Sequence, residues 1–268
     1  VWLNGVELAK TDNMFRTWGW PIKSLLRIGE NELKVVFRSP IKEGAKLRDA
    51  YGIQLPHDSD PSGVSPYIRK AAYQFGWDFC PRLVTSGIWQ GVELRGWSND
   101  RILRAGAFLN TGTESLMASC LIETTALSDS VTMLIVRLGD KHQLSMRPPH
   151  RSANIVRFLL DSADLWQPGR IGRATTLPME VQLLQGSRLL SKWSQEIGLR
   201  TVALAQETDS AGKSFQFIVN GVPVFIKGCN VVPPSMLPGP GANDAWLHLV
   251  RSMKGAGMNM ARIWAGGV

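Results

Sequence analysis

Arg262 and Trp264 stand two residues apart in the run Met258-Asn259-Met260-Ala261-Arg262-Ile263-Trp264, which reads as a strand. Alternate residues of a strand share a face, so a guanidinium and an indole emerge together near its C-terminal end. Asn230 ends an earlier strand-like run, Val222–Asn230. In a parallel sheet or barrel, side chains at strand C-terminal ends face the loops where ligands bind. An amide, a guanidinium and an indole gathered there suit a sugar. Planar donors address hydroxyl or carboxylate oxygens, and an aromatic face covers the C–H side of a pyranose. On the residues alone an equal alternative stands: Arg262 pairs with a structural carboxylate inside a barrel and Trp264 merely packs.

A second dense stretch runs Tyr73-Gln74-Phe75-Gly76-Trp77-Asp78-Phe79-Cys80-Pro81-Arg82. Core packing accounts for its aromatics but does not require Asp78. An aspartate beside a tryptophan, in a segment interrupted by Gly and Pro, fits a sugar-hydroxyl acceptor at a pocket rim. An Asp78–Arg82 structural pair is the competing reading. The run His57-Asp58-Ser59-Asp60-Pro61-Ser62-Gly63 superficially suggests a metal cluster, but its carboxylates and histidine sit among turn formers and at no ligand spacing, which favours a plain turn. Other catalytic patterns are missing: the sequence has no serine elbow between glycines, no phosphate loop, no dinucleotide fingerprint and no histidine pair at zinc spacing.

The elements that must hold these groups are mostly strands. The first hundred residues alternate short β-branched or aromatic runs with turns such as Asn4-Gly5 and Ile28-Gly29-Glu30-Asn31, and Leu33–Phe37 has period-two character. From about Ser98 to Thr208 come strand-like runs at Ala105–Asn110, Ala118–Thr124, Val131–Leu138, Ile155–Leu160, Met179–Leu184 and Gly198–Ala205, the profile of an immunoglobulin-like sandwich. After Asp209, Phe215–Val219 and Val222–Asn230 read as strands, followed by a loop rich in Pro and Gly. A helix then begins at Asn243 or Asp244, either of which can cap it. Trp246, Leu249, Val250 and Met253 line one face of that helix, and Gly255 and Gly257 can end it. Strand, helix and strand make a βαβ unit with parallel strands.

Composition narrows the partners. With 44% hydrophobic and 19% charged residues the chain can bury a core. Its formal charge of +8 is scattered, without the clustered basic face that tracks phosphates, so no nucleic-acid partner is expected. No apolar run is long enough to span a bilayer, and no membrane partner is expected. Cys80, Cys120 and Cys229 lie far apart, outside any metal or disulfide framework, and are expected as buried or half-buried thiols. No cofactor and no metal is expected. The chain opens inside a strand-like run, which suggests that sequence is missing and leaves the compartment unread.

Several of these segments resemble glycoside hydrolase family 2, and within it the β-mannosidases. Leu26-Arg27-Ile28-Gly29-Glu30-Asn31-Glu32-Leu33 resembles the strand entry of that family's sugar-binding jelly roll. Tyr73 to Arg82, with Leu83-Val84-Thr85-Ser86-Gly87-Ile88-Trp89, resembles the β-mannosidase form of that domain's signature. Lys227-Gly228-Cys229-Asn230 and Asn259-Met260-Ala261-Arg262-Ile263-Trp264-Ala265-Gly266-Gly267 resemble the first two barrel strands. Departures occur at Phe79-Cys80, where tryptophan-glycine is the pattern, at Val231, where tryptophan is, and at Ala265, where glycine is.

The resemblance implies a multidomain, mainly β chain. Its parts are a partial sugar-binding jelly roll at 1–97, an immunoglobulin-like β-sandwich at 98–209 and the N-terminal part of a (β/α)8 catalytic barrel at 210–268. It implies retaining hydrolysis of terminal β-mannosyl residues, with a β-mannoside oligosaccharide or glycoconjugate as substrate. Trp77 and Asp78 are then expected at the rim of the mannose subsite, Arg262 and Trp264 on its floor, and Asn230 nearby. The family uses one glutamate as acid/base, following an asparagine, and another as nucleophile. The only Asn-Glu pair here is Asn31-Glu32, in a turn, and no glutamate follows Glu207. Both catalytic groups are therefore expected beyond Val268 and the chain alone is expected to be inactive. The alternatives are a non-catalytic carbohydrate-binding β-sandwich protein and a family 2 glycosidase for another sugar.

Overall fold

The computed structural model describes residues 1–57, 59–98, 100–110, 115–149, 152–169, 172–239 and 242–267. Asp58, in the run read as a turn, lies outside them. The architecture is mainly β, with several sheets and few helices. The chain divides into two compact units, one of residues 1–93 with 228–268 and one of residues 94–227.

In the first unit, β1 (Trp2–Leu3) pairs antiparallel with β2 (Val6–Glu7) and with β3 (Leu33–Lys34). The hairpin turn places Asn4 at φ 51° and Gly5 at φ 85°, the left-handed pair that matches the twist of the strands. The Asn4 amide then ties the two turns together, donating to Leu25 O and to Asn31 Oδ1 while its Oδ1 accepts from Glu32 N. The expected strand Leu33–Phe37 shortens to β3, and Val36 and Phe37 stay exposed.

A helix interrupts the expected all-β stretch. α1 (Pro40–Tyr51) begins where Ser39 accepts from Lys42 N, with Pro40 in the first helical position, and ends at Gly52 with φ 74°. It packs through Gly44, where an added Cβ would lie 2.9 Å from Val64 Cβ. Beyond it, the turn reading of 57–63 is realised around Asp60. That buried carboxylate accepts from Ser62 N, Ser62 Oγ, Val64 N and Ser65 N. Burial opposes its ionisation. The Ser62 hydroxyl and the three backbone N–H groups outweigh that effect and hold the carboxyl below its ordinary value.

The second unit is a sandwich. β4 (Ile102–Leu109), β5 (Met117–Thr124) and β8 (Ala153–Leu159) form one antiparallel sheet in the order β4-β5-β8. β6 (Met133–Leu138), β7 (His142–Met146), β9 (Leu177–Gln185) and β10 (Arg188–Ile197) form the other, in the order β10-β9-β6-β7. Alternate residues of both sheets enter one core, including Cys120, Ile122, Val156, Leu134, Val136, Met179 and Val181. β11 (Val202–Ala205), β12 (Gln216–Val219) and β13 (Val222–Val224) form a separate antiparallel sheet.

The expected Val222–Asn230 strand therefore splits. Its first half turns back on β12 as β13. Its end becomes β14 (Gly228–Val231), which belongs to the first unit and runs parallel to β15 (Met260–Ile263). α2 (Asn243–Gly255) connects the two strands, giving the expected βαβ order. Its N-cap is Ala242, without a side-chain cap, so neither Asn243 nor Asp244 caps it and both lie in the first turn. Gly257, at φ 73°, ends the helix, with Met258 N donating to Met253 O and Gly257 N to Lys254 O.

Candidate functional site

All five sequence-selected residues lie in the first unit, and they form two groups. The first is aromatic. Trp264, one residue past the end of β15, donates its backbone N–H to Val231 O, which fixes it against the end of β14. Its indole centroid lies 5.1 Å from Trp77, 5.7 Å from Phe79 and 6.2 Å from Tyr73. Ala71, Tyr73 and Cys80 are buried beneath, and Met14 and Met236 pack against them. Gly266 is required here, since a Cβ on it would overlap the Trp264 ring.

The 73–80 segment is held by its own backbone. Trp77 and Cys80 exchange N–H···O bonds of 3.3 Å, closing a tight turn with Asp78 and Phe79 at its tip. The Cys80 thiol donates to Tyr73 O at 3.3 Å. Burial raises the Cys80 thiol and the nearby Asp78 charge adds to the rise. Burial likewise raises the Tyr73 hydroxyl. Buried Gln74 donates to Met236 O at 3.3 Å, joining this segment to the loop after β14.

Asp78 is exposed, and the proposed pair with Arg82 does not form. Arg82 is used elsewhere, donating to Ser62 Oγ at 3.1 Å and lying 3.9 Å from the Asp60 carboxylate. Among the described residues no hydrogen bond or ion pair engages the Asp78 carboxylate.

The second group is polar. Arg262 and Asn230 are register partners on β15 and β14, and Arg262 Nη1 donates to Asn230 Oδ1 at 3.2 Å. Both are exposed. The structural-carboxylate alternative for Arg262 is thus not realised among the described residues; its partner is an amide. The expected convergence is partial. The guanidinium and the amide meet, but among the described residues no cation–π contact joins Arg262 to Trp264, whose indole turns to Trp77 instead.

Sequence reasoning passed over Phe79 and Gln74, both of which the fold draws into this cluster. Phe79 stands out in the sequence only as a departure from the tryptophan of the resembled signature, not as a site residue, and Gln74 carries no sequence signal. A cavity of about 400 Å3 lies elsewhere, in the second unit, lined by Asp140, Lys141, His142, Asp164 and Arg173 among others. Its Asp164 is already engaged by Asp161 N, His142 Nε2 and Lys141, which makes it a structural tie. Among the described residues no group of His, Cys, Asp or Glu can hold a metal ion.

The sequence model of the family described as "Glycosyl hydrolase 2 galactose-binding domain-like" matches residues 1–90. The crystal structure of a β-D-mannosidase from Dictyoglomus thermophilum superposes with a TM-score of 0.88 at 34% identity, over 100% of this chain and 34% of that one. This chain is similar along its whole length to part of a β-mannosidase, and over residues 1–90 to the glycosyl hydrolase 2 galactose-binding-like domain. A β-mannosidase of Capra hircus is 28% identical and β-mannosidase B of Aspergillus niger 29% identical, each over 100% of this chain and 32% of its own length. The chain thus spans about a third of the length of the curated β-mannosidases it matches. No helix among the described residues is long and apolar enough to cross a membrane.

Proposed function

We propose that this chain is part of a retaining exo-β-mannosidase that removes terminal non-reducing β-D-mannose from a β-mannoside oligosaccharide or glycoconjugate. Residues 1–97 would form its sugar-binding jelly roll, 98–209 an immunoglobulin-like sandwich and 210–268 the start of the catalytic (β/α)8 barrel. Supporting the last assignment, β14, α2 and β15 make a strand–helix–strand unit with parallel strands, the repeating unit of such a barrel. The observation that carries the proposal is the seat of Trp77, beside uncommitted Asp78, against Trp264 at the C-terminal end of a parallel strand.

In this reading Trp77 and Trp264 form the apolar wall of a subsite, Asp78 accepts from a sugar hydroxyl at its rim, and Arg262 with Asn230 supplies a second polar edge. The Arg262–Asn230 bond leaves most of the guanidinium's donors available to ligand oxygens. Retention requires two carboxyl groups about 5–5.5 Å apart across the scissile bond. The barrel segment proposed here contains no glutamate, so the acid/base and nucleophile would come from sequence beyond Val268.

The test is hydrolysis of an aryl β-mannoside by the chain alone and by the protein expressed from the coding sequence extended past Val268. The chain alone is expected to be inert, and the extended protein to release mannose as the β-anomer first. Turnover by the chain alone would overturn its assignment as non-catalytic. An extended protein inert to β-mannosides but active on another aryl glycoside would overturn the sugar assignment.

A further inference from the structure

We propose that the sandwich of the second unit contains an internal water-binding site, held by Thr124 and Asn154 at one end of its core; it stands apart from the β-mannoside reading and does not depend on it. β5 and β8 send alternate residues inward, and that face carries Ala118, Cys120, Ile122 and Thr124 on one strand and Asn154, Val156 and Phe158 on the other. Thr124 and Asn154 break the apolar pattern at the same end. Thr124 is 1% exposed and Asn154 2%. The register pairs Ile122 with Asn154, so Thr124, two residues on, is the diagonal neighbour of Asn154 on the same face.

Neither side chain has a protein partner among the described residues: Thr124 Oγ1, Asn154 Nδ2 and Asn154 Oδ1 are all buried and unbonded. A hydroxyl or amide left alone in an apolar core carries its full desolvation cost. A ligand here must accept from the amide N–H groups, donate to its oxygen and be small enough for a packed core. Water meets these demands, and an internal water typically bonds about three polar groups that would otherwise go unsatisfied. A metal cation does not, because it would face amide N–H groups and no carboxylate; the inward neighbours are Cys120, Ile122 and Val156. Water bridging the diagonal pair also ties β8 to β5 in one register, since a slip of one residue would turn Asn154 to the outer face.

The experiment compares the parent chain with Asn154→Leu, Thr124→Val and the double variant. Magnetic relaxation dispersion of water oxygen-17 counts the long-lived internal waters of each, and urea unfolding gives its midpoint. Each single variant is expected to lower the count and the midpoint together, because it strands the remaining polar partner. The double variant, with both partners apolar, should recover a midpoint above that of either single variant. A count unchanged in either single variant overturns the site. A raised midpoint in either one also overturns it, since a dry, unsatisfied group would then have been relieved. Thr124→Val alters the shape least, so if Asn154→Leu fails to fold, the count and midpoint of Thr124→Val decide the matter alone.

Discussion

The indoles of Trp77 and Trp264 sit 5.1 Å apart at an interplanar angle of 54°, joining a turn of the N-terminal segment to the end of strand β15. Two indoles this close and tilted couple their electronic transitions, so the parent chain should show a paired positive and negative band in its far-ultraviolet circular dichroism. Gly266→Ala should weaken that couplet, because a Cβ at position 266 overlaps the Trp264 ring and pushes it away. Trp264→Ala should abolish it and cost about 2 kcal/mol, less than a fully buried tryptophan because the ring is half-buried. A couplet that survives W264A would show that the two indoles do not meet in solution.

The three cysteines should separate by reactivity. Cys120 lies in the sandwich core, fully buried, and burial pushes its thiol up to about 12. Cys80 is also raised by burial, while Cys229 is half-buried on β14. The thiolate is the reacting species. Alkylation at mildly alkaline pH, followed by peptide mass mapping, should label Cys229 first and Cys120 only on unfolding. Labelling of Cys120 in the native chain at the rate of Cys229 contradicts the sandwich core.

How far the sequence announces this structure depends on how each element is buried. β5, β8 and β9 send alternate residues into the core, and their period-two pattern is readable in advance. β7 and β10 flank the four-stranded sheet and are largely exposed, so their polar composition hides them. α1 was hidden for a related reason: only Gly44 of its residues is buried, which leaves no apolar stripe. Its punctuation was nonetheless present in Ser39-Pro40 and Gly52. Within the candidate site, the Asn230–Arg262 contact follows from strand register and is inferable once the strands are taken as parallel. The approach of Trp264 to Trp77 joins distant segments, and nothing local encodes it. Residue types also cannot show that Arg82 serves Asp60 and Ser62 and so leaves Asp78 uncommitted.

The contact between α1 and the Asp60 loop makes a prediction in which two effects oppose. Replacing Gly44 by alanine favours the helix by about 1 kcal/mol. The new methyl would lie 2.9 Å from Val64 Cβ and 3.1 Å from its Cγ2, and Val64 is only 1% exposed, so it has little room to yield. Overpacking of that kind costs about 1–3 kcal/mol. The net outcome should be a loss of about 1 kcal/mol in urea unfolding. A stabilised G44A would mean that the helix does not rest on Val64.

Asp60 sets the acid behaviour of the same loop. Its carboxyl is held below the ordinary range in the folded chain, because the Ser62 hydroxyl and the N–H groups of Ser65, Ser62 and Val64 together outweigh the opposing effect of burial. For a depressed carboxyl, the stabilisation is fully present above the unfolded value of about 3.9 and is lost as pH falls through the folded value. Asp60→Asn keeps the shape but replaces one acceptor oxygen with a donor facing backbone N–H groups, at a cost of about 2 kcal/mol at neutral pH. The stability gap between parent and D60N should therefore be constant from pH 7 to about pH 5 and narrow progressively below about pH 4. Urea unfolding midpoints measured across that range check it. A gap that stays flat down to pH 3 would mean that Asp60 does not carry its charge in the manner its hydrogen bonds imply.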